Sequence, residues 1–118
     1  MIFVGERRSR RAVISGVTWR DGRLAAKQLF DALISCGITP ASHEFVNAFE
    51  RGCHAKIMRY LRTARDPVVV GLGQLAQARL ESWGFRHLKL VHPAARGAIR
   101  RKDRYAAHVR SVLGEVPK

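Results

Sequence analysis

The sequence predicts an α/β fold, a three-layer α/β/α domain around a four-stranded, mainly parallel central sheet. Four short apolar runs lack polar alternation, which is the pattern of strands covered on both faces. Between them the apolar residues recur at helical spacing, so strands and helices alternate, and such alternation implies right-handed crossovers. A chain of 118 residues, 47% hydrophobic, supplies one core and no second, so residues 1–118 are read as a single domain.

The first strand, Ile2-Phe3-Val4, stops at Gly5-Glu6. From Leu24 to Ile34 a helical stripe of Ala26, Leu29, Phe30 and Leu33 follows, and Gly37 supplies its end. The second strand, Glu44-Phe45-Val46, closes on Asn47. Ile57, Tyr60 and Leu61 then mark a helix over residues 53–64, which Asp66-Pro67 stops. The third run, Val68-Val69-Val70, ends at Gly71, and Leu75, Ala76, Ala78 and Leu80 give a helix that stops near Gly84. The fourth, Leu88-Lys89-Leu90-Val91, delivers His92. Tyr105, Ala106, Val109, Val112 and Leu113 form the last stripe, with Arg101, Arg104, His108 and Arg110 on the other face.

With 22 Lys and Arg against 9 Asp and Glu, the formal charge is +13. The cations cluster at Arg7-Arg8-Ser9-Arg10-Arg11 and from Arg96 to Arg110, which favours a polyanionic partner, nucleic acid first, over general solvation of a basic protein. Cys36 and Cys53 lack the close second cysteine of a zinc hairpin, so neither zinc nor an iron–sulfur cluster is expected. No run reaches the roughly 20 apolar residues that span a bilayer, and Met1-Ile2-Phe3-Val4 enters a strand without a leader pattern. The expectation is a cytoplasmic protein without a membrane partner.

Ligands of open parallel sheets sit beyond the carboxyl ends of the strands. By that rule Gly5, Glu6, Asn47, Gly71 and His92 face one crevice, and the connection holding Trp19 and Asp21 lies over the same edge. A carboxylate at Glu6 suits a base or charge stabiliser, the amide of Asn47 a reader of base edges, and His92 a partner for a developing oxyanion. His92-Pro93-Ala94-Ala95-Arg96-Gly97 is a stiffened turn that sets this imidazole beside phosphate-binding cations. His43, His54, His87 and His108 show no metal-like grouping and are read as structural or surface residues. Gly71-Leu72-Gly73 fits the glycine pattern of a dinucleotide-binding turn, but Val91-His92 stands where that fingerprint needs an acid. No nicotinamide cofactor is expected.

Five elements, in order, resemble the uracil-DNA glycosylase superfamily, in particular its thermostable, iron–sulfur-containing class. They are Val4-Gly5-Glu6, the pair Gly22-Arg23 before Leu24 to Leu33, Phe45-Val46-Asn47, the strand-glycine-helix unit from Val69 to Ala78, and His92-Pro93. The resemblance implies an enzyme that flips a damaged base out of DNA and hydrolyses its N-glycosidic bond. Glu6 would then lie in the water-activating motif, Asn47 would read the pyrimidine edge, and His92 would stabilise negative charge on the departing base. Gly5, Trp19, Asp21, Arg23 and Gly71 complete the expected substrate-binding set, with Trp19 the substitute for a stacking aromatic that Leu24-Ala25 replaces. Arg7, Arg8, Arg96, Arg100, Arg101 and Lys102 would hold the DNA backbone. The family's cluster cysteines are missing, so no cofactor carries over. A non-catalytic nucleic-acid-binding module and a small nucleoside- or nucleotide-processing enzyme are the alternative readings.

Overall fold

Strand and helix alternate through the eight main elements: β1 (Ile2–Gly5), α1 (Ala25–Ser35), β2 (Glu44–Asn47), α2 (Cys53–Thr63), β3 (Val69–Leu72), α3 (Gln74–Ser82), β4 (Leu88–Leu90) and α4 (Lys102–Leu113). Single 3-10 turns occupy Pro40–Ser42 and Ala98–Arg100. The computed structural model describes residues 1–6, 19, 25–95, 97–114 and 116. All three strand pairings are parallel, in the order β2-β1-β3-β4. The chain leaves β1 toward β2 and leaves β3 the opposite way, toward β4. The order therefore reverses between β1 and β3, the place where open parallel sheets bind ligands.

Side chains alternate across the strands, so each face of the sheet receives its own helix pair. Phe3, Val70, Leu72 and Leu90 meet Leu29 and Leu33 of α1 and Tyr105, Val109 and Leu113 of α4. On the other face Ile2, Val4, Val46 and Val69 meet Ile57 and Tyr60 of α2 and Ala76 and Leu80 of α3. Phe3, Ile2, Leu29, Leu33, Ile57 and Leu72 are among the fully buried side chains, each contributing about 1.5–3 kcal/mol of burial. This is the three-layer arrangement that the continuous apolar runs predict.

Two strand ends differ from the sequence expectation. The run that should stop at Gly71 continues to Leu72, with Gly71 paired in register to Val4 and Lys89. A Cβ at Gly71 would lie 2.9 Å from Gln77 Cγ and 3.2 Å from Leu80 Cδ1, so the bare backbone admits α3 to the sheet. β4 ends at Leu90, one residue before the apolar run does. Val91 leaves the ladder because side chains of α4 take both of its backbone groups.

Candidate functional site

Glu6 follows β1, Gly73 follows β3 and His92 lies two residues beyond β4, all at the carboxyl edge. Gly73 links them. Its φ of 89° and ψ of 164° belong to a region that only glycine enters readily, and its N–H donates to Leu90 O at 2.9 Å, tying the β3 turn to β4. A Cβ at Gly73 would lie 3.1 Å from Glu6 Oε1 and 3.1 Å from His92 Cβ. The missing side chain lets the carboxylate and the imidazole stem approach from two sides.

His92 is half-buried, and its Nδ1 accepts the Ala94 N–H at 3.0 Å inside the Pro93 turn. That bond leaves the neutral ring with its proton on Nε2. Burial lowers the His92 pKa from the ordinary 6.5, against the upward pull of the Glu6 charge. The net result is a neutral Nε2–H donor beside a carboxylate at neutral pH.

Asn47 pairs in register with Gly5 and is the buried polar side chain of this edge, 6% exposed. Trp19 Nε1 donates to its Oδ1 at 2.9 Å. An indole nitrogen only donates, which fixes the oxygen of the amide on that side. Among the described residues nothing else bonds the Asn47 side chain, so its Nδ2 protons and one Oδ1 lone pair have no partner there. A Cβ at Gly5 would sit 2.8 Å from both Asn47 Oδ1 and Trp19 Cζ2, so glycine there admits the pair. Trp19 also tilts over Phe45 at 5.8 Å between ring centroids, which makes the indole a wall that orients Asn47. Beyond the ladder, Ala48 N–H donates to Gly5 O at 2.7 Å and Phe49 N–H to Glu6 O at 2.8 Å, so the Glu6 and Asn47 turns are tied to each other through the backbone.

Three side chains outside the expected site set hold this edge in place: Tyr105, read from the sequence as core, His108, read as structural or surface, and Gln77. The Tyr105 hydroxyl donates to Val91 O at 2.7 Å, and Val91 N–H donates to His108 Nε2 at 2.9 Å. Together they grip the residue immediately before His92. Burial raises the Tyr105 phenol, keeping it a donor, and lowers His108, keeping its Nε2 free to accept. Gln77 Nε2 donates to Gly71 O at 3.1 Å and Leu90 O at 2.9 Å, bridging the ends of β3 and β4. The only sequence signal for the pair on α4 is its i, i+3 spacing. Gly71, expected at the crevice, faces α3 instead, and Gly73 takes the place beside Glu6 and His92.

Arg100, Arg101 and Lys102 are exposed on the α1–α4 layer, where Arg100 O accepts from Gln28 Nε2 at 2.9 Å. Arg101 pairs with Asp103 and Lys102 with Asp31, each at 3.7 Å. Arg7, Arg8, Asp21, Arg23 and Arg96 lie outside the described residues. Among the described residues no group of three His, Cys, Asp or Glu side chains could hold a metal ion, and no helix is long and apolar enough to cross a membrane. No protein-family model matches the chain, and no curated protein matches it.

Proposed function

We propose that this is a cytoplasmic, DNA glycosylase-like domain that binds DNA and hydrolyses the N-glycosidic bond of an extruded modified base such as uracil. One observation carries the reading: a neutral histidine donor and a carboxylate flank a glycine at the strand-order reversal, one strand away from a buried amide whose N–H groups make no bond among the described residues. In this chemistry the C1′–N1 bond breaks and its electron pair passes into the base as an oxyanion. His92 Nε2–H donates to that oxygen, and Asn47 Nδ2 donates to a carbonyl of the base edge. Water bonds to C1′ through its oxygen, Glu6 takes one water proton, and that proton then neutralises the base. An oxyanion donor of this kind is worth about 100- to 1000-fold in rate, and a positioned base about 100- to 10,000-fold. Extruding the base costs a few kcal/mol, which backbone contacts must offset.

The test uses oligonucleotides carrying uracil and a panel of other modified bases, scored for abasic sites. Release of one base, reduced at least about 100-fold by Glu6→Gln and by His92→Ala with DNA affinity within a few fold, is the expected result. Tight binding with no release of any base assigns the fold to a non-catalytic nucleic-acid module. Release from free nucleosides but not from DNA assigns it to nucleoside processing.

A further inference from the structure

Of the cations expected to bind DNA at the start of α4, Arg101 and Lys102 already pair with acids, whereas among the described residues those within α2 make no ion pair. From Cys53 to Thr63 the helix holds Lys56, Arg59 and Arg62 and not one Asp or Glu. At 100° per residue Arg59 and Arg62 project from the side away from Cys53, Ile57 and Tyr60, which face the core, Lys56 lies on the flank beside Tyr60, and all three are exposed. Arg51 and Arg65 extend the row at its two ends, also exposed. Among the described residues none of the five makes an ion pair, in contrast to Lys27 with Asp31 on α1, Lys89 with Glu81 beyond α3, and Arg101 and Lys102 at α4. Neighbouring like charges on successive helical turns destabilise a helix by a few tenths of a kcal/mol each unless an outside anion lies against them.

The topology gives this row a direction. α2 begins after the Asn47 turn, at the carboxyl edge that carries Glu6 and His92, and runs back along the outside of the sheet. It lies on the layer opposite Arg100, Arg101 and Lys102. We propose that the outer face of α2 is a second nucleic-acid backbone contact, over which the strand leaving the carboxyl edge is drawn by Lys56, Arg59 and Arg62. The partner is a phosphodiester backbone because a row of point charges and guanidinium forks, which outnumber the partly exposed Met58 on this face, matches a linear polyanion. This inference rests on the reading of the protein as a DNA binder but not on base excision.

The experiment measures affinity for one uracil-containing duplex by fluorescence anisotropy between 50 and 200 mM salt. Each phosphate contact contributes about 0.9 to the slope of log affinity against log salt. The combined Lys56→Ala, Arg59→Ala and Arg62→Ala variant should therefore be flatter by about 2.7 units, which is about fortyfold less affinity lost across that range. Alanine is the best helix former, and far-ultraviolet circular dichroism checks that α2 persists. The charge-keeping variant Lys56→Arg, Arg59→Lys, Arg62→Lys should retain the wild-type slope. An unchanged slope in the alanine variant overturns the proposal, as does a wild type that does not bind. Loss of binding to polyglutamate or to phosphatidylserine vesicles, with duplex binding intact, overturns it in favour of an acidic protein or a membrane. Base release is scored separately on the same duplex. The predicted slope change without release supports this surface and retires the proposed chemistry; release with an unchanged slope does the reverse.

Discussion

Removing the Tyr105 hydroxyl tests whether α4 positions His92. Tyr105 is 1% exposed and packs with Val109 and Leu113 beneath β4, so Tyr105→Phe keeps the ring and its burial. What disappears is the 2.7 Å bond to Val91 O, the carbonyl of the peptide that leads into His92. A typical hydrogen bond of this kind contributes about 1 kcal/mol, and a domain near this size loses roughly 4 °C in Tm per kcal/mol. Urea and thermal denaturation should show that loss, and the His92 imidazole resonances should move because the turn is no longer held at that point. On the proposed chemistry, the rate of base release falls about ten- to a hundredfold while the KM for the oligonucleotide is kept, the signature of misplacement rather than lost binding. His108→Gln retains an acceptor for Val91 N–H and should cost less than His108→Ala. Because both residues hold Val91, Tyr105→Phe and His108→Ala should couple by at least about 0.5 kcal/mol in a double-mutant cycle. Unchanged stability and unmoved His92 resonances in Tyr105→Phe would mean that α4 does not position His92.

Gly73→Ala should destabilise the fold by about 1–3 kcal/mol through backbone strain and also displace Glu6 and His92, whereas Gly52→Ala, with φ 85° and open space around it, should cost strain alone; equal effects on the site would contradict the Gly73 geometry. The pKa values of His92 and His108 are lowered in the folded protein by burial, so the unfolded chain binds more protons below the ordinary 6.5 and stability falls as pH drops through that region. Tm should therefore be lower at pH 5 than at pH 7.5, and the difference should shrink when both histidines are replaced by glutamine; a Tm that rises on acidification opposes the assignment. Cys53 is buried and its thiol is pushed up to about 11 by burial, so a thiol reagent at pH 8 should label it only on the unfolding timescale. Rapid labelling of the native protein would contradict that burial.

The sheet and its helices were legible because the short apolar runs at Ile2 and Val69 suit strands covered on both faces, and the run at Leu88, broken by the exposed Lys89, still ends in the buried Leu90 of an edge strand. The ends of β3 and β4 were not, because each is set by an element distant in sequence. Gly71 looks like a turn glycine until α3 is packed against it, and Val91 looks like strand until Tyr105 and His108 claim its peptide groups. The positions of Glu6 and His92 just beyond strand ends, and of Asn47 as the last residue of β2, follow from the apolar pattern alone. What hydrophobic periodicity cannot carry is hydrogen bonding between elements, such as Trp19 to Asn47 over an interval of 28 residues. The basic clusters drew attention to the start of α4 because they are dense in sequence. The row on α2 is diluted by Ile57, Met58, Tyr60 and Leu61, and emerges only when the helix sorts its faces.

The central claim is that the carboxyl edge takes an extruded base between Asn47 and His92. The most direct measurement is a nitrogen-detected NMR titration of the Glu6→Gln variant, which retains binding without turnover on the proposed chemistry, with oligonucleotides carrying uracil or, as a control, an abasic analogue. The Asn47 side-chain amide and the His92 Nε2–H should shift together with the uracil strand and not with the control. Shifts confined to the arginines and lysines, identical for both strands, would contradict it.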